Sequence, residues 1–298
     1  MERRKLEMKK IGFVVLHYNS EVETKNCVNS ILQHVPDSYI VVVDNASPNN
    51  SGKNLMEFYK TSYVKVICLK SNVGFASGNN VGIEYLKTNT GVEFVVLLNN
   101  DTLLKQDDFQ KIVIDTYIQE KYAVMGPQII TKNGKNTSNP VEYIVDSKEK
   151  INKLLLKRKI KLFLNQIHLN ILLNNSGEGQ KNNKIYNPNL IYENVKLHGA
   201  CWVLSPIFFQ HFNGLCNKTF LYFEEDILYL QLRKVGIKSV YNPELQIIHL
   251  EDVSTNSIVN NNREKNIFVL KNEIRSLKVL KKMFDEKNKE HLGPVRWR

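Results

Sequence analysis

At 298 residues the chain is about twice a typical domain, which suits one large α/β domain or a catalytic domain with an accessory segment. Its 42% apolar and 24% charged residues exclude a disordered chain, a collagen and a coiled-coil rod, and its longest apolar runs, such as FVVLL at 94–98, fall far short of the roughly 18 residues of a membrane span. The net charge of +11 belongs to appendages: residues 1–10 hold five Lys/Arg against two Glu, 148–161 seven against one, and 263–298 eleven against five, so the remainder is slightly acidic. That partition speaks against a nucleic-acid partner, which favours a basic folded platform. It suits an anionic membrane surface, a diphosphate-linked lipid, or simply solvated basic helices. The start MERRKLEMKK, followed by a short apolar stretch and no small-residue cleavage site, reads as a cytoplasmic beginning. Cys27, Cys68, Cys201 and Cys216 form no CxxC pair and lie in apolar surroundings, as free buried thiols do.

In chain order the pattern predicts a buried strand IGFVVLHY from residue 11, a helix at 21–34, strand YIVVVD (39–44), a helix at 53–61 and strand VKVICL (64–69). A Gly-rich turn then leads into a helix at 79–88, followed by strand EFVVLL (93–98), a helix at 107–119 and a strand at 123–130. Continuous apolar runs alternating with amphipathic ones predict an α/β fold, a doubly wound, mostly parallel sheet with helices on both faces. Residues 131–140 and 174–189 are rich in Asn, Lys and Gly and bracket a basic apolar insertion at 148–173. Regularity resumes at VKLHGACWVLSP (195–206), then a helix after FLYFEED (220–226), strands at 237–241 and 245–250, and a helical tail over about 263–286.

Ligands of such sheets bind at the carboxyl ends of the strands. Polar sets stand there in register: Tyr18-Asn19-Ser20, Asp44-Asn45-Ala46-Ser47, Ser71-Asn72-Val73-Gly74 and Asn99-Asn100-Asp101-Thr102. The sharpest is LLNNDT (97–102), a carboxylate among amides directly after an apolar strand. It offers the hard oxygen that Mg²⁺ or Mn²⁺ on a diphosphate requires, or else it caps the following turn. NVGFASGNN (72–80) places glycine where backbone passes close to a ligand and opens a helix whose N-terminus favours phosphate, without the Walker lysine or the GxGxxG spacing. Glu224, Glu225 and Asp226 are either a catalytic carboxylate set or the acidic first turn of a helix.

VVVDNAS, SNVGFASGNNVG, LLNNDT, HGACWVLSP, FLYFEED and IIHLEDVST occur in the order and spacing that resemble bacterial family 2 inverting glycosyltransferases of the GT-A fold. The nearest look is to the rhamnosyltransferase-like branch, which builds O-antigen, capsule and related surface polysaccharides. The resemblance covers about 10–256, leaving 148–190 as a basic helical insertion and 257–298 as a basic helical extension. It implies that Asp44 meets the nucleotide, with Asn19, Asn45 and Ser47 beside it. It also implies that Asn72, Gly74, Phe75, Asn79 and Asn100 line the nucleotide-sugar pocket. Asp101 takes the place of the last aspartate of the family's metal motif, with Asn99 where a preceding carboxylate is usual, and His249 resembles a late histidine that reaches metal or diphosphate. Glu225 falls at the general-base position, with Asp226 as its rival. Ile227 and Gln231 stand where the family pattern often has Asp and Arg. His198, Gly199, Ala200, Trp202 and Glu224 would form the acceptor and sugar floor.

The function implied is transfer of a sugar from a nucleotide diphosphate donor, dTDP-rhamnose-like or a UDP-sugar, to a hydroxyl of a polyprenyl-diphosphate-linked surface glycan, with Mg²⁺ or Mn²⁺. The setting implied is the inner face of the plasma membrane, as a peripheral protein and with room for an oligomer. Two rivals remain. A nucleotidyltransferase would want a Gly-rich basic loop after the first strand, where this chain has HYNSEVE, and an inactive sugar-binding homologue is suggested by Ile227 and Gln231. Along 153–173, Leu156, Ile160, Phe163, Leu164, Ile167 and Ile171 recur at helical spacing beside Lys157, Arg158, Lys159 and Lys161, as either a packing face or a membrane-surface stripe.

Overall fold

The computed structural model describes residues 11–60, 63–131, 139–168, 186–250 and 262–285. Residues 1–10, the stretch 169–185 with Ile171, Ser254 and its neighbours, and the chain beyond 285 lie outside the described residues. The parallel half follows the expected order. β1 (Ile11–His17), β2 (Tyr39–Asp44), β3 (Val64–Cys68) and β4 (Phe94–Asn99) alternate with α1 (Glu21–His34), α2 (Ser51–Phe58) and α3 (Phe75–Asn89). β5 (Thr102–Leu104), α4 (Phe109–Glu120), β6 (Val124–Thr131) and α5 (Lys148–Gln166) come next. The second half adds β7 (Tyr192–Glu193), β8 (Cys201–Leu204), α6 (Pro206–His211), α7 (Glu224–Val235), β9 (Ser239–His249) and α8 (Asn262–Asp285).

The strands form one mixed sheet in the order β3-β2-β1-β4-β8-β6-β9-β5, with β7 on β9. Its long ladders, β1 with β2 and β4, β2 with β3, and β6 with β9, are parallel; the antiparallel ones are short. Period-two alternation decides which side each residue faces. Phe13, Val15, Val96 and Leu98 join Val28 and Ile31 of α1 and Phe109 of α4 in one layer. Val14, Val95 and Leu97 join Ile83 and Leu86 of α3, Phe208 of α6 and Leu228 of α7 in the other. Both faces of the central strands are therefore dry, which is why they read as unbroken apolar runs. A third cluster, Ile151 and Leu155 of α5, Ile227 of α7 and Ile274, Leu277 and Leu280 of α8, lies apart from both.

Several expectations need correction. The helix expected at 79–88 begins at Phe75, because Gly74 at φ +86° turns the chain directly into it. The strands expected at 237–241 and 245–250 are one, β9, with a register shift opposite Pro127/Gln128 that lets the ladder run on. The helix expected at 153–173 runs from Lys148, with Ser147 Oγ accepting from the Lys150 amide as its cap, and ends at Gln166. β5, three residues long, was not foreseen. Among the described residues no helix is long and apolar enough to cross a membrane.

Candidate active site

At the ends of β1 and β2 a polar cluster is held by its own hydrogen bonds. His17, fully buried, contacts Thr24 Oγ1 of α1 through Nδ1 at 2.6 Å and Ser51 Oγ of α2 through Nε2 at 2.8 Å. Burial pushes its imidazole down to about 4, against the pull of Asp44, so it is neutral near pH 7. Asp44 accepts from the amide and hydroxyl of Ser47, and the Asn19 amide donates to Ser47 Oγ at 2.9 Å. Asp44 fits because residue 52 is glycine: a Cβ there would stand 2.0 Å from its carboxylate.

Asn45 ties this cluster to the glycine turn, accepting from the Val73 amide and donating to the Gly74 carbonyl at 2.9 and 3.1 Å. Asn72 Oδ1 accepts from the Gly74 amide, and the Phe75 amide donates to the Phe220 carbonyl. Gly74 passes so close to residue 220 that a Cβ would lie 2.3 Å from that carbonyl oxygen. Asn79 donates to the Phe75 carbonyl.

Asp101, 4% exposed, sits one residue before β5. Antiparallel pairing of β5 with β9 sets Thr102 opposite His249, and the Leu250 amide donates to the Asp101 carbonyl. This brings His249 Nε2 to 3.2 Å from Asp101 Oδ1, but outside hydrogen-bond geometry, so that buried oxygen has no hydrogen-bond partner. Asn19 Oδ1 and Asn79 Oδ1 are buried and unsatisfied in the same way. Buried oxygens without partners are rare and call for a ligand, an ion or a water. A hard carboxylate oxygen beside an imidazole nitrogen fits a divalent ion that takes its remaining ligands from diphosphate and water. Among the described residues no cluster of three or more His, Cys, Asp and Glu surrounds that pair.

From this pair a line of contacts leads to the acidic helix start. The His249 and His198 rings lie 5.8 Å apart, the Ala200 amide donates to His198 Nδ1 at 3.1 Å, and the Gly199 amide donates to Glu225 Oε1 at 3.3 Å. The Asn99 amide donates to the Ala200 carbonyl, so the end of β4 and the 198–200 turn are one unit.

The three carboxylates of α7 are not equivalent. Asp226 is buried, paired with Lys196 Nζ at 3.0 and 3.1 Å and accepting from the Val145 amide. Burial pushes its carboxyl up and Lys196 opposes this. Glu224 accepts from Thr219 Oγ1, and burial, followed by the charge of Glu225, pushes it up to about 8. It lines a cavity with room for about one water, together with Trp202, Cys216, Ile227 and Gln231. Glu224 and Glu225 are both half-buried, and Glu225 is the one that accepts from the 198–200 turn.

Other candidates land in supporting places. Trp202 is fully buried, with its edge against Phe75 and Nε1 donating to the Leu197 carbonyl, so its ring is core rather than a stacking platform. Asn100 donates to Thr24 Oγ1, fastening β4 to α1. Sequence reasoning missed His17, Gly52, Lys196 and Asn139, whose Oδ1 accepts from the His198 amide. Lys196 carried a signal, a lone cation within an apolar run. Tyr222 and Phe223, both in the left-handed region at φ +72° and +65° just before Glu224, carried none.

Known proteins resemble this chain in sequence and in fold. Low-salt glycan biosynthesis hexosyltransferase Agl10 of Haloferax volcanii is 27% identical over 124 residues, 42% of this chain and 38% of that one. dTDP-rhamnosyl transferase RfbF of Shigella flexneri is 28% identical over 121 residues, 40% and 38%. The matched stretch is thus well under half of either relative. Among solved structures, GalNAc-T7 with UDP, GalNAc and Mn²⁺ superposes with a TM-score of 0.55 at 13% identity over 89% of this chain and 48% of that one. S. aureus TarS gives 0.51 at 12% identity over 81% and 36%. Both share the GT-A fold with this chain. The family model for glycosyl transferase family 2 matches residues 13–174, more than half of the sequence, and the chain belongs to that family.

Proposed function

We propose that this chain is an inverting, divalent-metal-assisted glycosyltransferase that moves a sugar from a nucleotide diphosphate donor to a hydroxyl of a lipid-linked surface glycan on the cytoplasmic side of the membrane. The observation that carries the reading is the buried, unsatisfied Asp101 oxygen beside His249, connected through residues 198–200 to the half-buried Glu225. In this reading Asp44, Asn45, Ser47 and the 72–75 turn hold the nucleotide, and similarity to a dTDP-rhamnosyl transferase favours a dTDP- or UDP-sugar. Asp101 and His249 would hold Mg²⁺ or Mn²⁺, which when bound neutralises charge growing on the leaving diphosphate. Glu225 accepts the proton of the acceptor hydroxyl as the diphosphate departs from the opposite face of the sugar. Gly199 orients Glu225 through its amide, and Asp226, occupied by Lys196 and Val145, anchors α7.

Thermal shift against UDP-, dTDP- and GDP-sugars with Mn²⁺ tests the donor, with stabilisation by one nucleotide series expected. Transfer should stop in EDTA and in Asp101→Ala, the latter still folded; full activity in chelator overturns the metal assignment. The burial of Ile227 and Gln231 beside Glu224 supports a second reading, a sugar-binding protein without turnover. Donor hydrolysis by the purified chain separates the two.

A further inference from the structure

α5 has two apolar faces, and among the described residues only one is covered. Ile151 and Leu155 are buried, and Leu154 and Leu162 partly buried, in the cluster with Leu277 and Leu280 of α8. Arg158 fixes that face through an ion pair to Glu273 at 2.8 Å, and Arg263 of α8 donates to the carbonyls of Asn165 and Gln166. On the other side Leu156, Ile160, Phe163 and Ile167 are 62%, 49%, 59% and 44% exposed. At about 100° per residue these four fall within an arc of roughly 60°, a strip about 16 Å long. Exposed Lys153 and Lys157 border it on one side and exposed Lys159 on the other, while Glu149 marks its N-terminal limit.

We propose that this strip is a membrane-docking surface that lies in the interface of an anionic bilayer. Leu156, Ile160, Phe163 and Ile167 enter the headgroup–acyl boundary, and the bordering lysines meet lipid phosphates. The charge pattern selects lipid over a second copy: pairing two such strips would set lysine border against lysine border. The packing against α8 fixes the outward direction of the strip, so the helix need not fold on contact with lipid. The inference does not rest on the proposed donor, acceptor or metal, since vesicle binding needs none of them.

The test is co-sedimentation of the full chain with phosphatidylglycerol-containing and pure phosphatidylcholine vesicles. Binding should require phosphatidylglycerol and weaken in high salt, because exposed charges are screened within about 8–10 Å. Each lysine near the surface is worth about fivefold in partitioning, so Lys153→Gln/Lys157→Gln/Lys159→Gln should bind on the order of 100-fold more weakly. Leu156→Ser/Phe163→Ser should lose on the order of tenfold or more. Circular dichroism melts check that both variants fold; if the serine variant does not, the lysine variant, altered only at exposed positions, decides. The proposal is overturned by no binding to phosphatidylglycerol vesicles, by binding indifferent to salt and to both variants, or by vesicle binding that appears only on deleting 169–185, which would make that segment the cover. A concentration-dependent dimer abolished by the serine variant, without vesicle binding, would identify a second copy as the occupant and likewise overturn it.

Discussion

Glu224, Glu225 and Asp226 are neighbours in sequence and meet three environments, and their substitutions should separate accordingly. Glu225→Gln should lower transfer on the order of 10²–10⁴-fold with donor affinity kept, read by steady-state kinetics and donor titration. Asp226→Asn leaves Lys196 buried without its counter-charge, a loss of about 3–5 kcal/mol expected as a lowered melting midpoint. Glu224, pushed up to about 8, keeps its proton in the folded state where the unfolded chain has lost it. Stability should therefore fall as pH rises from about 4.5 to 8, and Glu224→Gln should flatten that slope in denaturant titrations across the range. His17 gives the opposite sign lower down: held neutral, it loses stability as pH falls from 6.5 through about 4. His17 read only as part of its strand, while the three carboxylates were legible in the sequence as an acidic helix start. Their division of labour was not, because it depends on Lys196, Val145 and Thr219, which come from other segments.

At the level of elements, periodicity revealed faces but not partners. β1 to β4 were readable because both their faces are dry, so each appears as an apolar block. β5 is too short to show any period, yet it is the strand that brings His249 to Asp101. The single long β9 looked like two strands because Asn242, Pro243 and Glu244 interrupt its apolar pattern where the register shifts. The glycine turn was legible as a close approach, although its neighbour, the Phe220 carbonyl, lies about 150 residues away in sequence and could not be named. Gly74→Ala combines φ +86° with a 2.3 Å clash against that backbone oxygen. A loss of roughly 1–3 kcal/mol is expected, with donor binding weakened more than in Gly91→Ala, where a Cβ meets nothing within 4 Å.

Across the whole molecule, the family match ends at residue 174 but the candidate site draws on residues well beyond it. α8 reaches the site through Ser276 Oγ, which donates to the Leu221 carbonyl, and through Leu277 and Leu280 packed near Ile227 of α7. A chain cut before residue 262 would expose that cluster and release the 220–223 segment. It should melt lower and lose transfer even though its sheet remains intact, as activity and calorimetry would show. The charge of the sequence pointed to basic appendages, and α5 and α8 are indeed helices. That they pack on each other, rather than standing free, follows from interlocking apolar faces that no single segment displays.

Three of the four cysteines are withdrawn from chemistry. Cys27, Cys201 and Cys216 are buried, Cys68 is partly covered, and burial pushes every one of the thiols upward, Cys27 to about 12. Buried thiols of this kind are inert, and of the four only Cys68 keeps partial access to solvent. A cysteine introduced at Ile160, 49% exposed on the open strip of α5, would be the most accessible handle, with Cys68 changed to Ser. A spin label or fluorophore placed there could report immersion depth while the three buried cysteines stay in place.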